Sequence, residues 1–260
     1  MYPILLKLGS VTFYTYGLFY AIGLMVAAWV VLVQTRKDKV DDNLVYDLIF
    51  CIILGILIGA RIFYVIMNLG YYLKEPLKVL ALWEGGLYFH GGLIGGILAG
   101  VVFALIKKIS IFEYFDYFAP AVAVGHAMGR IGCFFAGCCY GKPTGFFMHI
   151  VFTNENSLAP TGIPLHPAQV YSAIGDFCIF LALWLRRGKK RYKGQLLIEY
   201  LMMFSCFRYF IEFLRGDDRG VGIAGLSVTQ VVSVVVFAVA LVISVYMTKK
   251  IVKPQKDLRQ

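Results

Sequence analysis

The feature that most constrains this chain is a series of long apolar stretches separated by short polar connections. A helix needs about 20 mainly apolar residues to cross the hydrocarbon core of a bilayer, and seven stretches meet that requirement. They cover residues 12–34, 45–68, 87–106, 116–136, 167–186, 195–214 and 226–248. Only 15% of the residues are charged, whereas a soluble domain usually carries about 25%. The sequence therefore predicts an all-α integral membrane protein with about seven transmembrane helices.

The polar connections predict one polytopic membrane domain over residues 1–260. The longest connection, 137–165, is rich in Gly, Pro, Thr and Asn and lacks a helical pattern. We expect it to form a loop or a small extracytoplasmic cap. The first apolar stretch is too long for a cleavable signal peptide, and no small-residue cleavage site follows it. Residues 249–260 are expected to form a cytoplasmic tail.

Lysine and arginine residues are distributed unevenly between alternate connections. One side of the predicted membrane carries sixteen of them: Arg36, Lys37, Lys39, Lys107, Lys108, Arg186, Arg187, Lys189, Lys190, Arg191, Lys193, Lys249, Lys250, Lys253, Lys256 and Arg259. The other side carries six: Lys7, Lys74, Lys78, Lys142, Arg215 and Arg219. This bias predicts that the N-terminus lies outside and the C-terminus in the cytoplasm. Topology and attraction to anionic headgroups also explain the net charge of +10, so no nucleic-acid partner is expected.

Three cations remain inside the apolar stretches, and all three are arginines: Arg61, Arg130 and Arg208. A charge at mid-membrane costs about 3 kcal/mol on insertion scales, so such a residue is a functional candidate. Arginine stays charged and forms bidentate contacts with phosphate or carboxylate. An anion site or a structural ion pair can explain each one. Glu212 follows Arg208 by one helical turn, so the two can pair along one helix face.

The segment GGLYFHGGLIGG (85–96) places His90 between pairs of glycines at the start of the third predicted helix. A helix N-terminus opened by glycine is a natural site for an anion, so His90 is a second kind of functional candidate. The glycines between positions 91 and 100 follow a small-xxx-small spacing. This spacing predicts that another helix approaches closely.

Several segments, taken in order, resemble the bacterial prolipoprotein diacylglyceryl transferases. They are YGLFYAIG (16–23), GGLYFHGGLIGG (85–96), GRIGCFFAGCCYG (129–141), HPAQVY (166–171) and FRYFIEFLR (207–215). The resemblance implies transfer of the diacylglyceryl group of phosphatidylglycerol to the lipobox cysteine of a prolipoprotein signal peptide, with release of glycerol phosphate. It also implies a multi-pass protein of the bacterial cytoplasmic membrane whose active site faces outward, with no metal and no redox cofactor.

The resemblance also assigns roles to individual residues. It implies catalytic roles for His90, Arg130, Arg208 and Tyr16, and substrate-binding roles for Arg130, Gly141, Glu212, Arg215 and His166. Arg130 and Arg208 are expected to hold the phosphate as charge develops on it. His90 is the best candidate for the general base that activates the acceptor thiol, because imidazole titrates near working pH. Activation of the thiol by a neighbouring arginine is the alternative.

The chain departs from the family pattern at several polar positions. Cys133 and Cys138 stand where the family has Asn and Glu, and Phe204 stands where it has Tyr. The departures allow a paralog of the same fold with a different lipid acceptor, and buried arginines also suit a lipid or anion transporter. Cys133, Cys138 and Cys139 also allow a membrane thiol/disulfide protein or a metal-linked one. We expect Cys133 to form a disulfide with Cys138 or Cys139 that locks the external loop.

The charge asymmetry gives a direct test of topology. A reporter fused after Lys193 is expected to be cytoplasmic, and a reporter fused near Asn154 is expected to be external. Paired alkaline phosphatase and fluorescent protein fusions at the two positions measure this. Two fusions on the same side of the membrane would contradict the predicted helix count.

Overall fold

The computed structural model describes residues 2–9, 11–81, 85–217 and 225–257, with the backbone alone at 8, 11 and 251–257. Seven long helices dominate it: α1 (Thr15–Lys37), α2 (Asp42–Met67), α4 (Phe89–Lys107), α5 (Ile111–Ala136), α6 (Ala168–Arg186), α7 (Gln195–Ile211) and α8 (Val228–Asp257). The short helix α3 (Leu69–Tyr72) and 3-10 turns at Pro76–Leu80, Arg187–Lys189 and Glu212–Leu214 complete the helical part. Two antiparallel hairpins pair β1 (Ile4–Leu8) with β2 (Val11–Tyr14) and β3 (Ile150–Val151) with β4 (Pro164–Leu165).

Six of these helices are long and apolar enough to cross a membrane: α1, α2, α4, α5, α6 and α8. This confirms the prediction of a helical integral membrane protein. The remaining long helix, α7, has 17 residues, so a seventh span stays a prediction.

Three helices begin or end some residues away from the approximate limits of the predicted stretches. Residues 12–14 belong to β2, because they pair with β1 in a hairpin before α1 begins at Thr15. Helix α5 begins at Ile111, five residues before the predicted stretch. Helix α8 continues to Asp257, into the residues 249–260 that we expected to form a tail.

The chain divides into two compact units, a small unit of residues 32–114 and a large unit of residues 1–31 and 115–260. In the small unit, α2 and α4 pack together through glycines. A Cβ atom on Gly55 would lie 2.6 Å from the carbonyl oxygen of Gly95, and one on Gly59 would lie 2.8 Å from the Gly95 Cα. The close helix approach predicted from the glycine spacing is therefore confirmed.

Arg61 has a structural role in the small unit. Its guanidinium group donates five hydrogen bonds of 2.6 to 3.2 Å to backbone carbonyls, and it lies over the rings of Tyr64 and Tyr72. The carbonyls belong to Lys78, Val79, Ala81, Gly85 and Gly86. Because an arginine side chain has five N–H donors, this set uses all of them. Arg61 therefore ties the connection after α3 to α2.

In the large unit, a buried carboxylate joins α5 to α7. The Asp116 side chain accepts hydrogen bonds from the backbone N–H groups of Gly194 (3.0 Å), Leu196 (2.8 Å) and Leu197 (3.3 Å). These N–H groups have no partner within the helix, and a negative charge there also complements the helix dipole. Apolar packing between α5, α6 and α7 surrounds this contact, with Leu183 and Leu196 almost fully buried.

The 137–165 connection forms a small folded cap. The β3–β4 pair aligns Ile150 with Leu165, and Phe152, Ala159 and Leu165 form a buried cluster under Tyr140. The cap that we predicted from composition thus has an apolar core of its own. Its extracytoplasmic position stays a prediction.

The glycine contact between α2 and α4 can be tested with two matched substitutions on one helix. Gly95→Ala is expected to destabilise the protein by about 1 to 3 kcal/mol, because the added methyl group overpacks a backbone contact. Gly100→Ala is the control, since its new Cβ would lie at ordinary distances from Ile52. Unfolding in mixed detergent micelles measures both. Equal losses of stability would contradict the packing argument.

Candidate active site

Two contacts fix the register of α7 against α5 in the large unit. Asp116 bonds to the N–H of Gly194, and the His126 ring meets the Phe204 ring edge-on, with centroids 5.3 Å apart. In each of these two pairs, the residue near or on α7 follows its partner on α5 by 78 positions in the sequence. The two helices therefore run parallel and in register at these contacts.

The same register places Arg130 and Arg208 at one level, because they are also 78 positions apart. Arg208 forms an ion pair with Glu212, with 2.6 Å between Nη2 and Oε2. The Ser227 hydroxyl donates to the other Glu212 oxygen at 3.0 Å. The pairing predicted from the i,i+4 spacing is thus present, and Glu212 is itself held in place.

Arg130 takes part in a chain of contacts across α5 and α6. Its Nη2 donates to Nε2 of His126 at 3.1 Å, and Nδ1 of His126 lies 2.8 Å from the buried Asp176 carboxylate. Since Nε2 accepts from Arg130, the imidazole carries its proton on Nδ1, where Asp176 stabilises it. The carboxylate thereby sets both the tautomer and the orientation of the ring.

Arg130 keeps a donor for a ligand. Its Nε is buried and has no hydrogen-bond partner within the described ranges. No carboxylate in those ranges forms an ion pair with it. A half-buried guanidinium whose Nε donor is buried and unused is suited to an anion that enters from outside the protein.

Arg215 lies at the crossing of two chain segments. Its buried side chain pairs with Asp217 through both carboxylate oxygens, at 2.9 and 2.7 Å. Its backbone bridges to Gly141, whose N–H donates to the carbonyl of His166 at 3.1 Å. A Cβ on Gly141 would lie 2.5 Å from the Cβ of His166, so only glycine fits between these strands.

Three cysteines meet where α5 ends. The sulfur atoms of Cys133, Cys138 and Cys139 all lie within 4.8 Å of one another, and the Gln169 side chain donates to the Cys138 carbonyl at 2.8 Å. The structure has all three as free cysteines, which contradicts the disulfide that we expected. Hydrogen bonds from the Cys133 and Cys138 thiols lower the pKa of the Cys139 thiol, and the charge of Arg215 acts in the same direction.

The other predicted site residues are divided between the two units. Tyr16, in the first turn of α1, packs beside Gly132 and lies within electrostatic range of Cys133. His166 precedes α6 and is partly buried. His90 lies in the first turn of α4, as predicted, but it belongs to the small unit and its side chain is exposed there. The large unit therefore brings together the predicted residues other than His90.

Sequence reasoning missed Asp176 and did not assign His126 to the arginine site. The signal was available, because Asp176 interrupts the apolar stretch 167–186 as clearly as the arginines interrupt theirs. Acidic residues inside a membrane are as costly as basic ones. An inventory of both signs would have found Asp116 and Asp176 together with Arg130 and Arg208.

Comparisons with known proteins agree with this arrangement. The family model described as prolipoprotein diacylglyceryl transferase matches residues 3–246. The phosphatidylglycerol–prolipoprotein diacylglyceryl transferase of Bordetella avium (strain 197N) is 36% identical over 258 residues, which cover 95% of each chain. The enzyme of that name from Geobacter sulfurreducens is 36% identical over 97% of each chain. The one from Clostridium tetani is 33% identical over 90% of this chain and 92% of its own. A family model that matches residues 3–246, together with relatives 33 to 36% identical over most of their length, shows that the chain belongs to the prolipoprotein diacylglyceryl transferase family.

Proposed function

We propose that this protein transfers the diacylglyceryl group of phosphatidylglycerol to the lipobox cysteine thiol of a prolipoprotein. The observation that carries the proposal is the buried, unused Nε donor of Arg130, at the level of Arg208 on a parallel helix. The printed names of the relatives support the same reaction. A transferase therefore has better support than a transporter or a redox protein.

For this reaction, the site has to stabilise a phosphate group that gains negative charge. The acceptor thiolate attacks the glyceryl carbon that bears the phosphate ester, so a C–S bond forms and a C–O bond breaks. The electron pair of the C–O bond leaves with glycerol phosphate, which passes from one negative charge to two. Fixed positive groups in a site that excludes water stabilise such a change strongly.

Arg130 and Arg208 are the groups that suit this task. Arg208 is held by Glu212, and Arg130 is held through one nitrogen by His126, so both guanidinium groups are already oriented. The free Nε of Arg130 can bind a phosphate oxygen without breaking an ion pair. Arg215 is neutralised by Asp217, so its part is to hold the segment around Gly141.

The proton of the acceptor thiol needs a base, and His90 is our proposed base. It sits at a helix N-terminus opened by glycines, and imidazole accepts a proton near neutral pH. His126 has a different proposed role, because its Nε2 is engaged by Arg130. We assign His126 and Asp176 to positioning the Arg130 guanidinium.

The proposal also includes the membrane arrangement. Six apolar helices and the family identity fit a multi-pass protein of the bacterial inner membrane. The charge bias favours α7 as a seventh span and an N-terminus outside. In that orientation the ends of α5 and α7, with Arg130 and Arg208, face the outer side.

Transfer can be measured directly with the purified protein, phosphatidylglycerol liposomes and a lipobox peptide. The wild-type protein is expected to attach diacylglyceryl to the peptide cysteine and release glycerol phosphate. Arg130→Lys is expected to lose at least tenfold in rate although the charge is kept, because an ammonium group lacks the planar fork for phosphate. Arg36→Lys, at an exposed ion pair with Asp42, is the matched control. Full activity of folded Arg130→Lys would contradict the phosphate role.

The two histidines can be separated in the same assay. His126→Gln keeps an acceptor for Arg130 and is expected to retain much of the rate, whereas His126→Leu removes the acceptor and is expected to lose about tenfold. His90→Gln is expected to lose about a hundredfold or more, because glutamine cannot take up a proton. If His126→Gln were as inactive as His126→Leu while His90→Gln stayed active, the assignment of the base would be wrong.

A further inference from the structure

The three cysteines at the end of α5 form a convergent set. Cys133 lies in the last turn of the helix, whereas Cys138 and Cys139 follow in the turn after it. Cys139 has a left-handed backbone, with φ of +60°, which is uncommon for a residue with a side chain. Neighbouring side chains in extended backbone point to opposite sides, but this turn lets both sulfurs approach Cys133.

The spacing of the sulfurs suits one metal ion better than a disulfide. Three sulfurs bound at 2.3 Å to a tetrahedral zinc ion lie about 3.8 Å apart, and here all pairs are within 4.8 Å. A small contraction would complete the site. A disulfide joins two sulfurs at about 2.05 Å and would leave the third thiol unused.

The surroundings favour a complex with one negative charge. Cys139 lies within electrostatic range of Arg130 and Arg215, and Arg215 is paired with Asp217. These three side chains sum to one positive charge. Three thiolates with Zn²⁺ sum to one negative charge, whereas three thiolates with Cu⁺ would sum to two. The charge balance therefore favours zinc among the soft ions that thiolates select.

The turn that carries the ligands is held by its neighbours. The Gln169 side chain, which is fully buried, donates to the Cys138 carbonyl. The N–H of Leu158 donates to the carbonyl of Ala136 at 3.1 Å, from the cap to the last residue of α5. A preorganised turn lowers the entropy that metal binding has to offset.

We propose that Cys133, Cys138 and Cys139 bind one Zn²⁺ ion as three thiolates, with the fourth position open on the partly exposed side. Two of the ligands stand where the family has Asn and Glu, so this site belongs to the divergent segment of the chain and not to the family resemblance. Binding releases the thiol protons and changes no oxidation state. The proposal does not rest on the transfer reaction.

The test measures metal content without any lipid substrate. The full chain is produced with added zinc and purified in detergent, and zinc is determined by mass spectrometry. We expect about one zinc ion per chain in the wild type, and at least a tenfold loss in Cys133→Ser, Cys138→Ser and Cys139→Ser. Cys206→Ser, an exposed cysteine on α7, is the control and should keep its zinc.

A second measurement covers variants that fail to fold. Co²⁺ added to the zinc-depleted wild type should give the near-ultraviolet thiolate-to-cobalt band and the visible bands of tetrahedral coordination. Zinc should also protect three thiols from alkylation. A wild-type protein that binds neither ion, or that contains a disulfide among the three cysteines, would overturn the proposal. A wild-type protein that binds zinc but transfers no diacylglyceryl group would count against the proposed function and not against the zinc site.

Discussion

A charge buried among apolar helices has to meet an opposite charge or several hydrogen-bond donors, and the large unit depends on this requirement. Asp116 accepts a hydrogen bond from the first turn of α7. Asp176 lies beside His126, and Glu212 forms an ion pair with Arg208. Apolar contacts alone would specify register weakly, because lipid tails are as apolar as leucine. Asp116 joins α5 to α7 and Asp176 joins α6 to α5, so these two carboxylates fix how the three helices align. That alignment sets the level at which the arginines lie.

Arg61 and Arg130 show that an arginine within an apolar helix is not by itself a binding site. All five N–H groups of Arg61 donate hydrogen bonds to backbone carbonyls, so a ligand could bind it only by breaking those bonds. Breaking the bond to Ala81 would leave a buried carbonyl without a partner, at a cost of about 1 to 3 kcal/mol. Among the described residues, Nε of Arg130 has no hydrogen-bond partner, so Arg130 can accept a ligand at no such cost. The unused donor, and not the charge, separates the two residues.

The helical stretches could be predicted from the sequence because their signal is local, and so could the pairing of Arg208 with Glu212, which depends only on helical spacing. The β1–β2 hairpin could not, because residues 12–14 are apolar whether they lie in a strand or in a helix. Asp176 could have been found as a candidate, but its partner could not. Its partner His126 lies on a different helix, and the register between helices is set by contacts distant in sequence, such as the one made by Asp116.

The departures from the family pattern can be understood together at the level of Phe204. The family has a tyrosine there, whereas phenylalanine offers no hydrogen bond. The Phe204 and His126 rings pack edge to face. The two nitrogens of the His126 ring contact Asp176 and Arg130. Tyr200, one turn earlier on α7, stacks on Phe204 and lies within electrostatic range of Asp176 and Arg130, so α7 still presents a polar side chain near this level. His126 thus contacts an apolar ring on one side and makes its polar contacts with Arg130 and Asp176, so the orientation of its ring depends on those two partners.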